Sequence, residues 1–240
     1  MTKLLLLEIC VETLAAAQAA ERGGADRIEL CENLAVGGVT PSVDLLRAVR
    51  DAVRLPIFAM IRPRGGDFVY SDEEFAQMGS DLACVKAWGV DGLVFGLLHA
   101  DRRVDVERTK QLVELASLLP VTFHRAFDEV PDPLAAMEDV VAIGCARILT
   151  SGGKPSAEEG SPTISDLVKR AGDRIGILPG GGINAKNIER VARRTSAREF
   201  HSGLSSAVPY PQSNAAAFEA EVQKVAEVLR EYRMDMTSQL

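Results

Sequence analysis

Eight short apolar runs of strand character recur along the chain, each followed by a longer segment with helical periodicity. The runs are LLLLEIC (4–10), DRIELC (26–31), PIFAMIR (56–62), DGLVFG (91–96), VTFHR (121–125), ARILTS (146–151), RIGILPG (174–180) and AREFHS (197–202). The helical segments fall at 13–22, 42–53, 72–88, 103–118, 133–143, 162–172, 184–194 and 214–232. Alternation of this kind predicts an α/β protein with a parallel sheet. Eight β-units within 240 residues match a single-domain (β/α)8 TIM barrel, which needs about 250 residues. A doubly wound open sheet is the competing arrangement, but it needs edge strands, and none of the eight runs is marked as one. No Pro/Gly/Ser-rich linker divides residues 1–240, so one domain is expected, with the tail to 240 mobile beyond the last helix. GADRIEL (24–30), GVDGLVF (89–95) and GCARILT (144–150) form a weak internal repeat of glycine, turn and strand. Ser42 and the YSDEE stretch read as helix N-caps, and Gly89 and Gly144 as C-caps.

Hydrophobic residues make up 47% of the chain, enough for a sizeable core. The net charge of −7, from 34 acids against 27 bases, argues against an extended nucleic-acid surface but allows a local anion site. The opening MTKLLLLEIC is too short for a membrane span and lacks the flanks of a secretion signal, so a cytoplasmic protein is expected. Four cysteines without CxxC spacing read as free thiols.

Side chains alternate along a strand, so the parity of each run separates a helix-facing set from a barrel-facing set. The helix-facing set is apolar: Leu5, Leu7 and Ile9; Ile28 and Leu30; Ile57, Ala59 and Ile61; Val121 and Phe123; Phe200. The opposite parity turns inward Glu8 and Cys10, Arg27, Glu29 and Cys31, Arg62, Thr122 and His124, Arg147 and Ser151, and Glu199 and His201. Arg62, His124 and His201 lie at the C-terminal strand tips, where barrel enzymes carry their sites. For Arg27, Glu29, Arg147 and Glu199 two readings stay open: parts of a site, or a buried layer in which every charge is paired.

Three motifs could carry chemistry. ILPGGGINAKNI (177–188) places Gly180, Gly181 and Gly182 between a strand and a helix whose expected cap is Asn184, an arrangement suited to anions. FHSGLS adds Ser202 and Gly203 as further donors. MIRPRGGDF (60–68) sets Arg62 and Arg64 around a proline, as a clamp for carboxylate or phosphate; the bland reading is an exposed basic loop balanced by Asp67. Cys10 and Cys31 end neighbouring strands on the inward parity and could hold a soft ion such as Cu(I), or serve as small buried hydrophobes. No strand carries a lysine, and Lys154 lies beyond its turn, which disfavours a Schiff-base aldolase. Cys84 and Cys145 read as structural, and His99 as a surface residue.

Together EIC, GADRIELCENLAVGGVTPS, MIRPRGGDFVYSDEE, VTFHRAFD, RILTSGG and LPGGGI…EFHS resemble the CutC family of copper homeostasis proteins, from residue 6 to about 206. The resemblance implies a (β/α)8 barrel and copper, as Cu(I), with the family's two cysteine ligands falling on Cys10 and Cys31. Two functional expectations follow. One is a copper-binding protein using those thiols. The alternative is a barrel enzyme acting on a small phosphorylated or carboxylated metabolite. In that enzyme Gly180–Gly182, Ser202, Gly203 and Arg64 would grip the anion. Arg62 would neutralise charge, and His124 or His201 would exchange protons, oriented by Asp128 or Glu199. Glu8 and Glu29 are further catalytic candidates. A barrel serving only as a protein-binding module is a third, unsupported by any surface pattern. The expected partner is a copper ion or a small anionic ligand, with neither nucleic acid nor membrane, and a homo-oligomer is left open.

Overall fold

The computed structural model describes residues 5–205, 207–208 and 214–238, with side chains to 234. Eight strands run through it: β1 (Leu6–Val11), β2 (Arg27–Leu30), β3 (Ile57–Met60), β4 (Gly92–Phe95), β5 (Val121–Phe123), β6 (Arg147–Thr150), β7 (Gly176–Pro179) and β8 (Glu199–Ser202). Each is followed by a helix: α1 (Leu14–Gly23), α2 (Val43–Ala52), α3 (Asp72–Ala87), α4 (Val106–Ala116), α5 (Pro133–Ile143), α6 (Ser161–Ala171), α7 (Ile188–Thr195) and α8 (Ala215–Ser238). Short 3₁₀ turns follow β2 at Leu34–Val36 and β5 at Arg125–Glu129.

All ladders are parallel, in the order β7-β6-β5-β4-β3-β2-β1-β8. β1 pairs with both β2 and β8, so the chain's first strand is internal to the sheet. β8 then curls round to lie beside β7: a Cβ on Gly180, just past β7, would fall 3.3 Å from the Cβ of His201 on β8. The result is a nearly closed barrel, which rules out the open doubly wound sheet.

Local signals set the helix limits. Ser42 accepts a hydrogen bond from Leu45 N at the start of α2, and Ser71 forms a reciprocal capping box with Glu74 at the start of α3, each satisfying backbone donors that would otherwise lack partners. Gly144 ends α5 in the left-handed conformation, with φ 95°. Trp88 takes the C-cap of α3, and Gly89 follows it with φ 74°. The last helix runs to Ser238, six residues beyond the 214–232 read from periodicity. Residues 239–240, at the end of the tail expected to be mobile, and residue 4, at the start of the first run, lie outside the described residues. Among the described residues no helix is long and apolar enough to cross a membrane.

The helix-facing parity forms the core, as alternation predicts. Leu7, Ile9, Ile28, Leu30, Ile57, Ala59, Ile61, Val121, Phe123 and Phe200 join the helices in one continuous apolar layer. The barrel interior is different. Its upper part is a small separate cluster of Cys10, Cys31, Phe58, Met60 and Val94, and its lower part is charged. There Arg27 Nε donates to Glu8 Oε2 at 2.5 Å, while Arg27 Nη2 and Arg147 Nε both reach Glu199 Oε2 at 2.8 Å. Of the two readings left open for Arg27, Arg147 and Glu199, this geometry matches the paired layer. Barrels usually fill this space with branched aliphatic layers; here a single aromatic ring does much of that work. The guanidinium carbons of Arg27 and Arg147 sit 4.7 and 4.8 Å from the Phe58 ring centroid, a cation–π arrangement on a desolvated ring.

Phe58 fits only because its register partner on β4 is Gly92. A Cβ on Gly92 would fall 2.6 Å from two Phe58 ring atoms. Gly92→Ala should therefore overpack the interior and lower unfolding stability by about 1–3 kcal/mol. Urea denaturation would measure this, and a loss below about 0.5 kcal/mol, the level of an ordinary surface substitution, would mean that Phe58 is not held where the two arginines place it.

Candidate functional site

The C-terminal strand ends open onto a cavity of about 250 Å³. Cys10 of β1, Glu29 of β2, Met60 of β3, His124 beyond β5, Leu149 of β6, Gly181 and Gly182 beyond β7, and His201, Ser202 and Gly203 from β8 onward all line it. Residues far apart in sequence thus converge because parallel strands end at the same face of the barrel.

The floor is organised from Glu8. Its register partners are Arg27 on one side and His201 on the other. One carboxylate oxygen takes Arg27, and the other lies 2.7 Å from His201 Nδ1. Burial pushes the Glu8 pKa up, but Arg27 and His201 outweigh it and hold the group at about 2. Ionised Glu8 can only accept, so Nδ1 of His201 carries the proton and donates it. Burial lowers the His201 pKa, and the nearby Glu29 and Glu8 carboxyls overcome that and raise it. Glu199 belongs to the two arginines, so the expectation that it orients His201 is corrected: the stagger between β1 and β8 sets Glu8, not Glu199, beside the imidazole.

Above this layer the sulfurs meet. Cys10 Sγ lies 3.6 Å from Cys31 Sγ and 3.4 Å from Glu29 Oε1, and all four cysteines are free thiols. Cys10 and Glu29 are register partners, so the pair of sulfurs is diagonal across two strands. The hydrogen bond to Cys31 and then burial drive the Cys10 pKa well above the ordinary thiol range. Burial likewise raises Glu29, against the attraction of His201. Glu29 Oε2 is buried without a hydrogen-bond partner.

His124 forms the opposite wall. Its Nδ1 accepts from Ala126 N at 3.3 Å, its ring packs 4.9 Å from Phe68, and its buried Nε2 has no partner. Burial, and then the positive charge of Arg62, push its pKa down to about 3, so the ring is neutral near pH 7. Asp128 does not orient it, contrary to expectation. The Asp128 carboxylate instead accepts from Thr150 Oγ1, Ser151 N and Gly153 N and pairs with Arg125 Nε at 2.8 Å. The reason is local: Arg125–Glu129 coil into a 3₁₀ turn that carries Asp128 across to the end of β6.

Two arginines read as a clamp are not at the mouth. Arg62 is buried, with its Nη atoms bound to the carbonyls of Val36, Gly38 and Gly66, so it ties two loops together beside the cavity. Arg64 turns outward to Glu74, 2.5 Å away, and to Asp67; the salt-bridged loop reading holds for it. Arg125 shares the odd parity of Val121 and Phe123, but the 3₁₀ turn that begins with it redirects its side chain; it is the arginine that lines the cavity, with Nη2 donating to Ser151 Oγ at 3.1 Å.

The glycine turn also has structural duties. Gly181 and Gly182 take φ values of 103° and 72°, and a Cβ on Gly180 would lie 2.5 Å from Leu149 Cδ1. Turn geometry and packing therefore account for all three. Asn184 does not cap α7: it folds back on Asn187 and Lys186, and the helix begins only at Ile188, which moves its N-terminus away from the glycines. Ser202 Oγ donates to Ile183 O at 2.5 Å and accepts from Leu204 N at 3.0 Å, so its hydroxyl is occupied within the protein.

The fold and mouth define a class: a (β/α)8 barrel with a charged floor whose opening gathers sulfur, imidazole and carboxyl donors. Within that class the chain belongs to the CutC family, whose family model matches residues 5–206. It is 50% identical over 201 residues to the human protein named copper homeostasis protein cutC homolog, covering 84% of this chain and 74% of that one. It is 47% identical over 208 residues to the family protein CutC of Mesorhizobium japonicum, covering 87% and 81%. The solved structure of a CutC protein from Streptococcus agalactiae superposes with a TM-score of 0.80 at 35% identity, covering 83% of this chain and 99% of that one.

The depressed His124 pKa has a measurable consequence. As pH falls from 6.5 towards about 3, the unfolded chain binds a proton at this ring that the folded protein refuses. Its contribution to stability is complete above pH 6.5 and is lost on acidification, at up to about 1.4 kcal/mol per pH unit. Comparing wild type with His124→Gln removes the contributions of Glu8, Glu29 and His201, which both proteins share. Between about pH 6.5 and 4.5 the wild type should lose about 2 kcal/mol more than the variant in urea titrations, and equal losses would mean that His124 titrates normally.

Proposed function

We propose that this chain is a copper homeostasis protein that binds Cu(I) through Cys10 and Cys31. The observation that carries the reading is the 3.6 Å approach of two buried thiols on adjacent strands, with Cys10 opening onto the cavity. Paired sulfurs are the donors that select Cu(I), and a buried apolar surround of Phe58, Met60 and Val94 shields such an ion from water. Relatives named as copper homeostasis proteins support the assignment. Free thiols suit a reducing, cytoplasmic setting.

Thiolates, not thiols, bind the metal, so loading displaces protons and its affinity rises with pH. The competing reading, an enzyme that grips a phosphorylated or carboxylated metabolite, is weakened at its anion clamp. Arg62, Arg64 and Ser202 are all engaged with other parts of the protein.

Thermal unfolding of the full chain under reducing conditions tests the reading. Cu(I) at about a hundred times its dissociation constant should add about 2.7 kcal/mol of stability. The gain should vanish in Cys10→Ser and in Cys31→Ser, and inorganic phosphate and sugar phosphates should leave the midpoint unchanged. A Cu(I) gain that survives loss of both cysteines, or stabilisation by phosphates alone, would overturn it.

A further inference from the structure

Cys10 belongs to two different donor sets. One is the sulfur pair with Cys31. The other is Cys10, Glu29 and His201, whose ligand atoms are buried and all lie within 4.8 Å of one another. These three residues come from β1, β2 and β8, neighbouring strands joined by ladder hydrogen bonds, so rigid elements set their spacing.

Two features prepare this trio for a metal ion. The Nδ1–H of His201 is held by Glu8 at 2.7 Å, which leaves Nε2 as the ring's donor atom. A carboxylate behind the far nitrogen is how proteins orient a ligating imidazole, and Glu8 is itself anchored by Arg27. Glu29, only 3% exposed, keeps its Oε2 without any hydrogen bond in the protein, although buried polar atoms are ordinarily satisfied.

We propose that Cys10, Glu29 and His201 form a second metal site, for a borderline divalent ion of the Zn(II) type, with one coordination position open to the cavity. The donor set decides the ion. One sulfur, one nitrogen and one oxygen suit Zn(II), whereas Cu(I) selects sulfur ligands. The charge balance agrees: a thiolate and a carboxylate neutralise a divalent ion in a buried place where net charge is costly. Metal binding would draw these three atoms, within 4.8 Å of one another, to the bonding distances of about 2.0–2.3 Å that such ions require. All three residues line the cavity, so the remaining position faces a space that admits water or a small ligand. Three protein ligands with one open position is the pattern of reactive zinc sites, while structural sites are closed by four. Both sites use Cys10, so they exclude each other, but Cys31 serves only the first and His201 and Glu29 only the second. The Cys31 variant therefore tests the first reading alone, and the His201 and Glu29 variants test the second alone.

The test uses the full-length protein, stripped of metal and kept reduced by a phosphine. Zn(II) binding is followed by calorimetry, and Co(II) is used as a visible probe of the same site. Wild type should bind a single Zn(II), and its Co(II) form should show a thiolate-to-metal charge-transfer band that Cys10→Ser removes. His201→Gln and Glu29→Gln should each weaken Zn(II) by at least about tenfold, the scale set by the loss of even an outer-shell partner. Cys31→Ser, which removes no ligand of this trio, should keep the cobalt–thiolate band. Equal Zn(II) affinity in wild type, His201→Gln and Glu29→Gln would overturn the site. So would the absence of a cobalt–thiolate band in wild type, a measurement that decides the matter even if a variant fails to fold.

Discussion

The ion pair between Glu8 and Arg27 is the contact on which the rest of the barrel interior depends. Neither group can be buried alone at bearable cost, and each is almost wholly removed from water, with side chains 0% and 6% exposed. Arg27 extends the pairing to Glu199, and Glu199 extends it to Arg147. Four strands are therefore linked through side chains across the inside of the barrel, in addition to their ladders. Breaking such a buried network strands a charge and typically costs about 3–5 kcal/mol.

This floor also builds the mouth above it. Glu8 is shared between the network and His201, so whatever fixes the network fixes the orientation of the imidazole. The two guanidinium groups hold Phe58, and Phe58 packs in the small cluster with Cys10 and Cys31. Positions of the sulfur atoms thus rest on a charged layer rather than on an aliphatic one. That arrangement adds a rigid, partly polar support beneath donors carried on strands, and precise support is what a metal site requires.

Much of this was legible in the order of residues. Eight alternating units predicted the barrel, and parity assigned Glu8, Cys10, Glu29, Cys31, His124 and His201 to its inside. Nearness in sequence or strand position points Asp128 to His124, Glu199 to His201 and Asn184 to the start of α7. The stagger between strands and the coiling of short turns then placed other groups closer. Arg64 misled for a related reason: its neighbours in sequence, Asp67 and Glu74, were competitors for the guanidinium, and they won. Arg125 lies two residues past the end of β5, inside the 3₁₀ turn, where strand parity no longer applies.

By itself, then, the sequence determined the architecture and the set of polar groups that must lie inside it, because side-chain alternation and helical periodicity are properties of a single segment. Which of those groups touch was decided only by the closed barrel. Closure fixes the shear between strands, and shear sets Cys10 level with Glu29, Glu8 level with His201, and the two sulfurs on a diagonal. No local pattern encodes that offset, since it arises from all eight strands meeting the geometric condition of a ring.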